Sequence, residues 1–330
     1  MNIFRRSMIK HTAAGLCAAV LGTFSGTALL AQDFPDKPIN VVVAWPAGGA
    51  HDTVARLVGD YLSNELSQPV VISNQPGAAG TTGVRAAANA DPDGYTVGVM
   101  GLHVIAQTYM NENATPWNAI KPLALIEKSP ASLSVRTDSG IEDLAGFIDK
   151  AKNEPDFILN SNDGPGGFAN ISALLTQKAI GTQFATIPYQ GYAPAVAAIA
   201  SGETNATTIP TALMIGLAGG GEVKIIAVAG DERHFRAPDV PTFKESGVDF
   251  VFSDFVGFFL PQGVPQDRVE ILESALMNVM KDEDFLAATQ KAGLIISPGD
   301  SEEFGAFLAE QDEKVYPVLD DGGLVTANVK

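Results

Sequence analysis

The chain has 330 residues, 46% of them apolar and 18% charged, with a formal charge of −17. That length is enough for two domains of ordinary size, and the apolar content builds a substantial core and argues against a disordered chain. No block of lysines and arginines occurs after residue 10, which excludes a nucleic-acid partner, because neutralising phosphates needs clustered cations.

Residues 1–31 read as an export signal. A basic start, "MNIFRRSMIK", precedes the small and apolar "TAAGLCAAVLGTFSGTALLA" and then the polar "QDFPDKP". Its apolar core is too short and too rich in Ala, Gly and Thr for a stable membrane span. Arg5-Arg6 fits a twin-arginine signal loosely and an ordinary secretory signal equally well. Cleavage after Ala31, or after Ala28, removes Cys17, the only cysteine, so neither a disulfide nor thiol chemistry is expected. Three positive charges leave with the segment (Arg5, Arg6 and Lys10) and no negative one, moving the formal charge from −17 to −20.

From Phe34 onward, short apolar runs alternate with helical patterns. "INVVVAW" (39–45) reads as a buried strand, and Val54, Leu57, Val58, Tyr61, Leu62 and Leu66 then recur at three and four as a helix face. "PVVIS", a small helix in "GVRAAANA", and "YTVGVM" follow. The alternation continues through "SLSVR", "FILNS", "FATIPY", "TNATTI" and "VKIIAVAG", predicting an α/β protein with mostly parallel sheets. After residues 257–266 the pattern is helical to near the end: Val269, Leu272, Leu276 and Val279 form one face, and Phe304, Phe307, Leu308 and Val315 another.

Glycine-rich loops punctuate the strands. "GAAGTTGVR" (77–85) lacks the Lys-Ser/Thr of a phosphate loop. "GPGGFA" (164–169) fits the loose dinucleotide pattern, yet no acid occurs between Gly164 and Glu203 to hold a ribose. No Gly-x-Ser-x-Gly elbow is present. His51 and Asp52 are adjacent, and neighbours on a helix point about 100° apart, so they do not converge on a metal. No cofactor and no metal are therefore expected. "PAGGAHD", "GLHV" and "GPGGFAN" share a position instead: each follows a strand and precedes a helix, where backbone N–H groups and the helix dipole favour an anion. Asp52 also reads as the N-cap of its helix, with Arg56 one turn on. His51 and His103 read equally well as a solvated and a core histidine.

With those loops in place, the chain resembles the extracytoplasmic receptors of tripartite tricarboxylate transporters, the Bug family. The resemblance runs from "FPDKPINVVVAWPAGGAHDTVARLV" and "QPVVISNQPGAAGTTGVRAAANADPDGYTVGVM" through "IPYQGYAPAVAAIASGETN" to "GFFLPQGVPQDRVEILESALMNVMKD", covering essentially residues 34–330. It implies a two-lobed periplasmic binding protein of type II. Lobe 1 spans residues 32–132 plus 257–330 and lobe 2 spans 133–256, each a mostly parallel sheet flanked by helices. It also implies a non-enzymatic function: a small organic anion, a carboxylate by preference, is captured and handed to membrane permease subunits by a monomeric receptor. A partner presenting the ligand to a membrane kinase, and a periplasmic hydrolase using His51-Asp52, remain as alternatives.

By the same resemblance Ala47, Gly48, Gly49 and Asp52 match the first ligand loop. Gly164 and Gly166 match the second-lobe loop, and Tyr189 and Gly191 its Pro-Tyr-x-Gly turn. Departures from the family pattern mark further candidates. His51 stands where Thr, Ser or Asn is usual, Gly167 replaces Ser or Thr, and Asn170 replaces His. The loop holding Gly101 and His103 is short, with Ala106 where Asn is frequent. Asn205 takes the place of a frequent Asp, which favours a ligand without an amino group.

Overall fold

The computed structural model describes residues 34–154 and 156–330. The expected export segment lies outside the described residues. The strands and helices of the first part follow the predicted order: β1 (Ile39–Val43), α1 (Ala50–Glu65), β2 (Val70–Asn74), α2 (Thr81–Ala88), β3 (Thr96–Met100) and α3 (His103–Met110). In β1 the β-branched Ile39, Val41, Val42 and Val43 are buried and cover both faces, as a strand covered by helices requires. α1 turns Val54, Ala55, Val58 and Leu62 inward, the face its periodicity predicts.

A long strand, β4 (Lys121–Pro130), continues through Ala131 into β5 (Ser132–Arg136), which belongs to a different sheet. That second sheet grows through α4 (Leu144–Asn153), β6 (Leu159–Asn162), α5 (Phe168–Ile180), β7 (Ala185–Pro188), α6 (Tyr192–Ser201), β8 (Ala206–Thr207), α7 (Thr211–Gly220) and β9 (Val223–Val228). The chain then returns to the first sheet with β10 (Ser253–Leu260), α8 (Gln266–Val279), α9 (Glu283–Ala292), β11 (Ile296–Gly299) and α10 (Ser301–Asp321). Strand order is β11-β4-β10-β3-β1-β2 in the first sheet and β7-β6-β8-β5-β9 in the second.

Both sheets are mixed, where the strand-helix alternation alone suggests mostly parallel ones. β1, β2 and β3 are parallel because α1 and α2 carry the chain back over the sheet between them. β10 arrives from the second sheet and runs antiparallel to both β3 and β4, and β11 is antiparallel to β4. In the second sheet β6 is parallel to β7 and β8, while β5 is antiparallel to β8 and β9. The segments that join the two sheets therefore set the mixed character.

One apolar cluster fills the outer side of the first sheet, where Ile39, Val41 and Val43 meet Val58, Leu62, Leu272 and Leu276. A second runs from the inner side of that sheet into the other lobe, where Phe168 of α5 stacks on Phe252 with ring centroids 5.1 Å apart. β6 is different: Asn160, Ser161 and Asn162 are all fully buried polar residues. Burying three polar side chains in a row costs stability unless they are bonded or used. Its C-terminal end leads straight into a glycine loop.

Candidate functional site

The strand-to-helix loops of the two lobes face one another. In the first lobe, Ala47, Gly48 and Gly49 form an exposed turn ahead of α1. Gly48 has φ +84°, a left-handed conformation that a side chain would strain. The turn is braced from below by Asp52. Its carboxylate accepts the Gly48 N–H (2.7 Å), Arg56 Nε (2.9 Å) and Asn74 Nδ2 (2.8 Å), and Asn74 also reaches the Trp45 carbonyl (3.0 Å). Burial alone would raise the pKa of Asp52. The Arg56, Gly48 and Asn74 hydrogen bonds and the Arg56 charge outweigh it and hold it down to about 2.

Asp52 is thus not the N-cap. That position belongs to Gly49, and Asp52 reaches back from the first turn to the loop amide. Nor does it form a dyad with His51, which points the other way. The His51 ring stacks on Trp45 at 4.0 Å between centroids, and the His103 ring meets Trp45 edge-on at 4.2 Å. Gly101 makes this arrangement possible. A Cβ there would lie 2.3 Å from His51 Nε2 and 2.9 Å from the Phe255 carbonyl oxygen. Both histidines are held below the ordinary imidazole range. For His51 burial outweighs the opposing influence of Asp254 and the Phe255 carbonyl, and for His103 burial acts together with His51. A hydrolytic base would need a carboxylate oriented on the imidazole, and Asp52 is spent on Arg56.

In the second lobe, Gly164, Gly166 and Gly167 form the turn between β6 and α5. The Gly164 N–H donates to Asn162 Oδ1 (3.0 Å), and the Gly166 N–H lies 3.4 Å from Asn170 Oδ1. Asp163 lies under the turn and accepts the Asn170 N–H (3.1 Å). Gly166 rests on α3 of the other lobe, where a Cβ would meet Met110 Sδ at 2.4 Å. The Tyr189 N–H bonds the Asn162 carbonyl (2.9 Å), which brings its backbone beside Gly164. Its hydroxyl turns away to Glu203 at 2.8 Å. Gly191 begins α6 with φ +97°.

Asn205 is not brought to these loops. Its side chain bridges the Phe157 carbonyl (2.6 Å) and the Leu159 N–H (2.8 Å), at the opposite end of β6 from Gly164. Both of its polar ends are used to anchor that strand.

Helix starts differ across the molecule, and α3, α7 and α8 begin on Leu102, Pro210 and Pro265 without a side-chain cap. α1, α2, α5 and α6 begin on Gly49, Gly80, Gly167 and Gly191, residues that offer no side-chain acceptor to the first turn. α4, α9 and α10 begin on Asp143, Asp282 and Asp300, each of whose carboxylates takes first-turn amides. An aspartate N-cap is the more stable choice for the helix. Glycine leaves the positive ends of α1, α2 and α6 and their N–H groups open to an anion from outside, whereas at α5 Asp163 already takes the first-turn Asn170 N–H. Among the described residues, no three His, Cys, Asp or Glu side chains are grouped to hold a metal.

The signature described as Tripartite tricarboxylate transporter family receptor (TctC) matches residues 54–324. The chain belongs to this receptor family. A relative from Agrobacterium vitis, a UPF0065 protein of the TAR-I ttuE-ttuC' intergenic region, is 32% identical over 76% of this chain and 74% of its own. A TctC solute-binding protein from Polaromonas superposes with a TM-score of 0.77 at 26% identity, covering 87% of this chain and 99% of that one. MatC from Rhodopseudomonas palustris, solved with bound malate, gives 0.74 at 27% identity over 87% and 100%. The two mixed sheets are therefore the lobes of a solute-binding receptor.

Several residues of this receptor's cleft are absent from the candidates read off the sequence. Trp45 holds both histidines together. Ala78 and Ala79 both adopt positive φ (47° and 51°), a strained turn that brings Gly80 against His103. Asp254 of β10 accepts the Leu102 N–H (3.2 Å) and, across the cleft, the Tyr192 hydroxyl (3.3 Å). An acid inside the apolar run "FVFSDFVGFF" is a visible signal for Asp254. Nothing in the sequence joins it to Tyr192, 62 positions away.

Proposed function

We propose that this receptor captures a small organic anion bearing at least one carboxylate, in the periplasm, and delivers it as a monomer to the membrane permease subunits of a tripartite transporter. Behind an export signal of 31 residues, the expected lobes of residues 32–132 with 257–330 and of residues 133–256 need one small shift, because β5 begins at Ser132 in the second sheet and β10 at Ser253 in the first. The observation that carries the ligand class is the set of glycine-started helices α1, α2 and α6 around the cleft, whose first turns lack a side-chain acceptor. Their preplaced N–H groups substitute for water around a carboxylate, and hydrogen bonds to an ionised acceptor are the strong kind. The malate in MatC, a protein of the same fold, supports the same class. With a formal charge near −20 the overall field opposes an anion, so attraction is local and short-ranged. Ala47–Gly49 and Gly164–Gly167 hold the anion between the lobes, with His51 and His103 lining the first lobe's side.

A thermal-shift panel of di- and tricarboxylates, hydroxy acids, sulfonates and amino acids tests this. A ligand at 100 times its Kd stabilises the protein by about 2.7 kcal/mol, which is easily detected. A folded sample that shifts with no member of the panel contradicts the proposal.

A further inference from the structure

A small cavity of about 10 Å³ lies between α3 and the turn ahead of α2, on the first lobe's side of the cleft. Two contacts tie it to the loops that face the cleft. Gln107 lines it, and its side-chain nitrogen lies 3.6 Å from where a Cβ of Gly166, on the second-lobe turn, would stand. Gly80, also in its wall, has no room for a Cβ. One there would lie 2.9 Å from His103 Nε2 and 3.4 Å from Cζ2 of Trp45, the residue that leads into the Ala47–Gly49 turn.

The wall is largely hydrocarbon and carries no charge. Ala79, Val84, Val104 and Ala114 supply the apolar surface, and Ala79, held at φ +51°, contributes only a methyl group. His103 is the one titratable residue of the wall. Burial, reinforced by His51, holds it well below the ordinary imidazole range, so the ring is neutral near pH 7. Its Nε2 is buried against Gly80 without a hydrogen-bond partner.

A second carboxylate entering this space would need a cation. Among the described residues, the wall holds no lysine or arginine, and Arg56, on the helix behind the first loop, is taken by Asp52. An ionised group brought into an apolar space without a partner is strongly disfavoured, whereas a methylene gains from the same transfer. A cavity of this size takes one water or one methyl group, and an apolar wall favours the methyl.

We propose that this receptor's ligand is a monocarboxylate with a short hydrocarbon chain: its carboxylate lies on the glycine loops, and its terminal methyl enters the cavity of Ala79, Val84, Val104 and Ala114. This rests on the receptor reading above and narrows its ligand class. The far end of the ligand is read by shape and by the absence of charge, and a second carboxylate there is rejected.

Titration calorimetry near pH 7, with acids matched in carbon count, tests the proposal. The pairs are butyrate and succinate, valerate and glutarate, and hexanoate and adipate. In at least one pair the monocarboxylate is expected to bind tenfold or more tightly than the dicarboxylate. From acetate upward, each added methylene should tighten binding about fourfold until the cavity is filled, and no further beyond that. Ala114→Leu fills the cavity from the loop after α3 and should weaken the best monocarboxylate at least tenfold while leaving acetate unchanged. Val84→Ala enlarges the cavity and should move the optimum to a longer chain. Neither residue belongs to the glycine loops, so a folded variant keeps its carboxylate site. Dicarboxylates that bind as tightly as their partners, or a chain-length preference that neither variant moves, overturn the inference and leave the receptor reading standing. A folded protein that binds neither these acids nor any of the panel above overturns both.

Discussion

The two glycine loops that face each other across the cleft each carry an aspartate beneath them, and the two aspartates behave in opposite ways. Asp52 lies under Gly48 with Arg56 and Asn74 as partners and is held down to about 2. Asp163 lies under Gly164–Gly167 with backbone amides only, faces Asp254, and is raised to about 7. The residue type and its place in the motif are the same. What differs is the second layer: a guanidinium in one lobe, another carboxylate in the other. A carboxylate beneath a glycine loop is therefore held ionised where it is neutralised and pushed toward protonation where it is not.

Neutralising the two aspartates breaks that comparison most sharply. Asp52→Ala strips the Gly48 N–H, Arg56 and Asn74 of a shared partner and should cost about 2–3 kcal/mol in urea denaturation, the range for breaking a part-buried pair. Asp163→Asn should stabilise the protein at pH 8 by about 1 kcal/mol, because it removes a desolvated charge. Losses of equal size in both variants would show that the two loops are electrostatically alike.

The pH dependence of wild-type stability separates the same two terms. The lowered Asp52 contributes stability above its ordinary 3.8 that disappears as pH falls through about 2. Asp163 and Glu127 are raised, so their contribution is complete below 3.8 and 4.5 and is lost as pH rises through about 7 and about 8. Chemical denaturation from pH 5 to pH 8 should therefore show a decline of several kcal/mol, at about 1.4 kcal/mol per group and pH unit below each raised value, that Asp163→Asn with Glu127→Gln flattens. Stability that rises over this window would contradict burial as the cause that raises both acids.

A smaller effect is expected at Asn205. Asn205→Ala removes two hydrogen bonds at the far end of β6 and should cost about 1 kcal/mol. A loss of ligand affinity exceeding that loss of stability would show that the residue reaches the ligand after all.

The parallel β1–α1–β2 and β6–α5–β7 units were legible because each is local: a β-branched or apolar run, a glycine turn, then a 3.6-residue period. β4, β10 and β11 were not, since their pairing depends on strands that arrive antiparallel from a distant part of the chain, as Phe258 does opposite Val99. The site divides along the same line. The glycine turns are visible in the sequence, and the structure puts Gly49, Gly80, Gly167 and Gly191 at the starts of α1, α2, α5 and α6. Glu127 and Asp163 owe their raised proton affinity to burial, which the fold alone provides. Asn205 was misplaced for the converse reason, as its position in a motif says nothing of which end of β6 it faces. His51 stood out in sequence as an unusual residue, and the structure gives it company in Trp45, Gly101 and Asp254.

The most direct measurement is a two-dimensional ¹⁵N NMR titration of the assigned protein with the strongest ligand of the panel. The amide signals of Gly48, Gly49, Gly164, Gly166 and Gly167, with those of the first turns of α1 and α5, are expected to move most. A saturating ligand that leaves those glycine amides in place and shifts another region would contradict an anion held between the two loops.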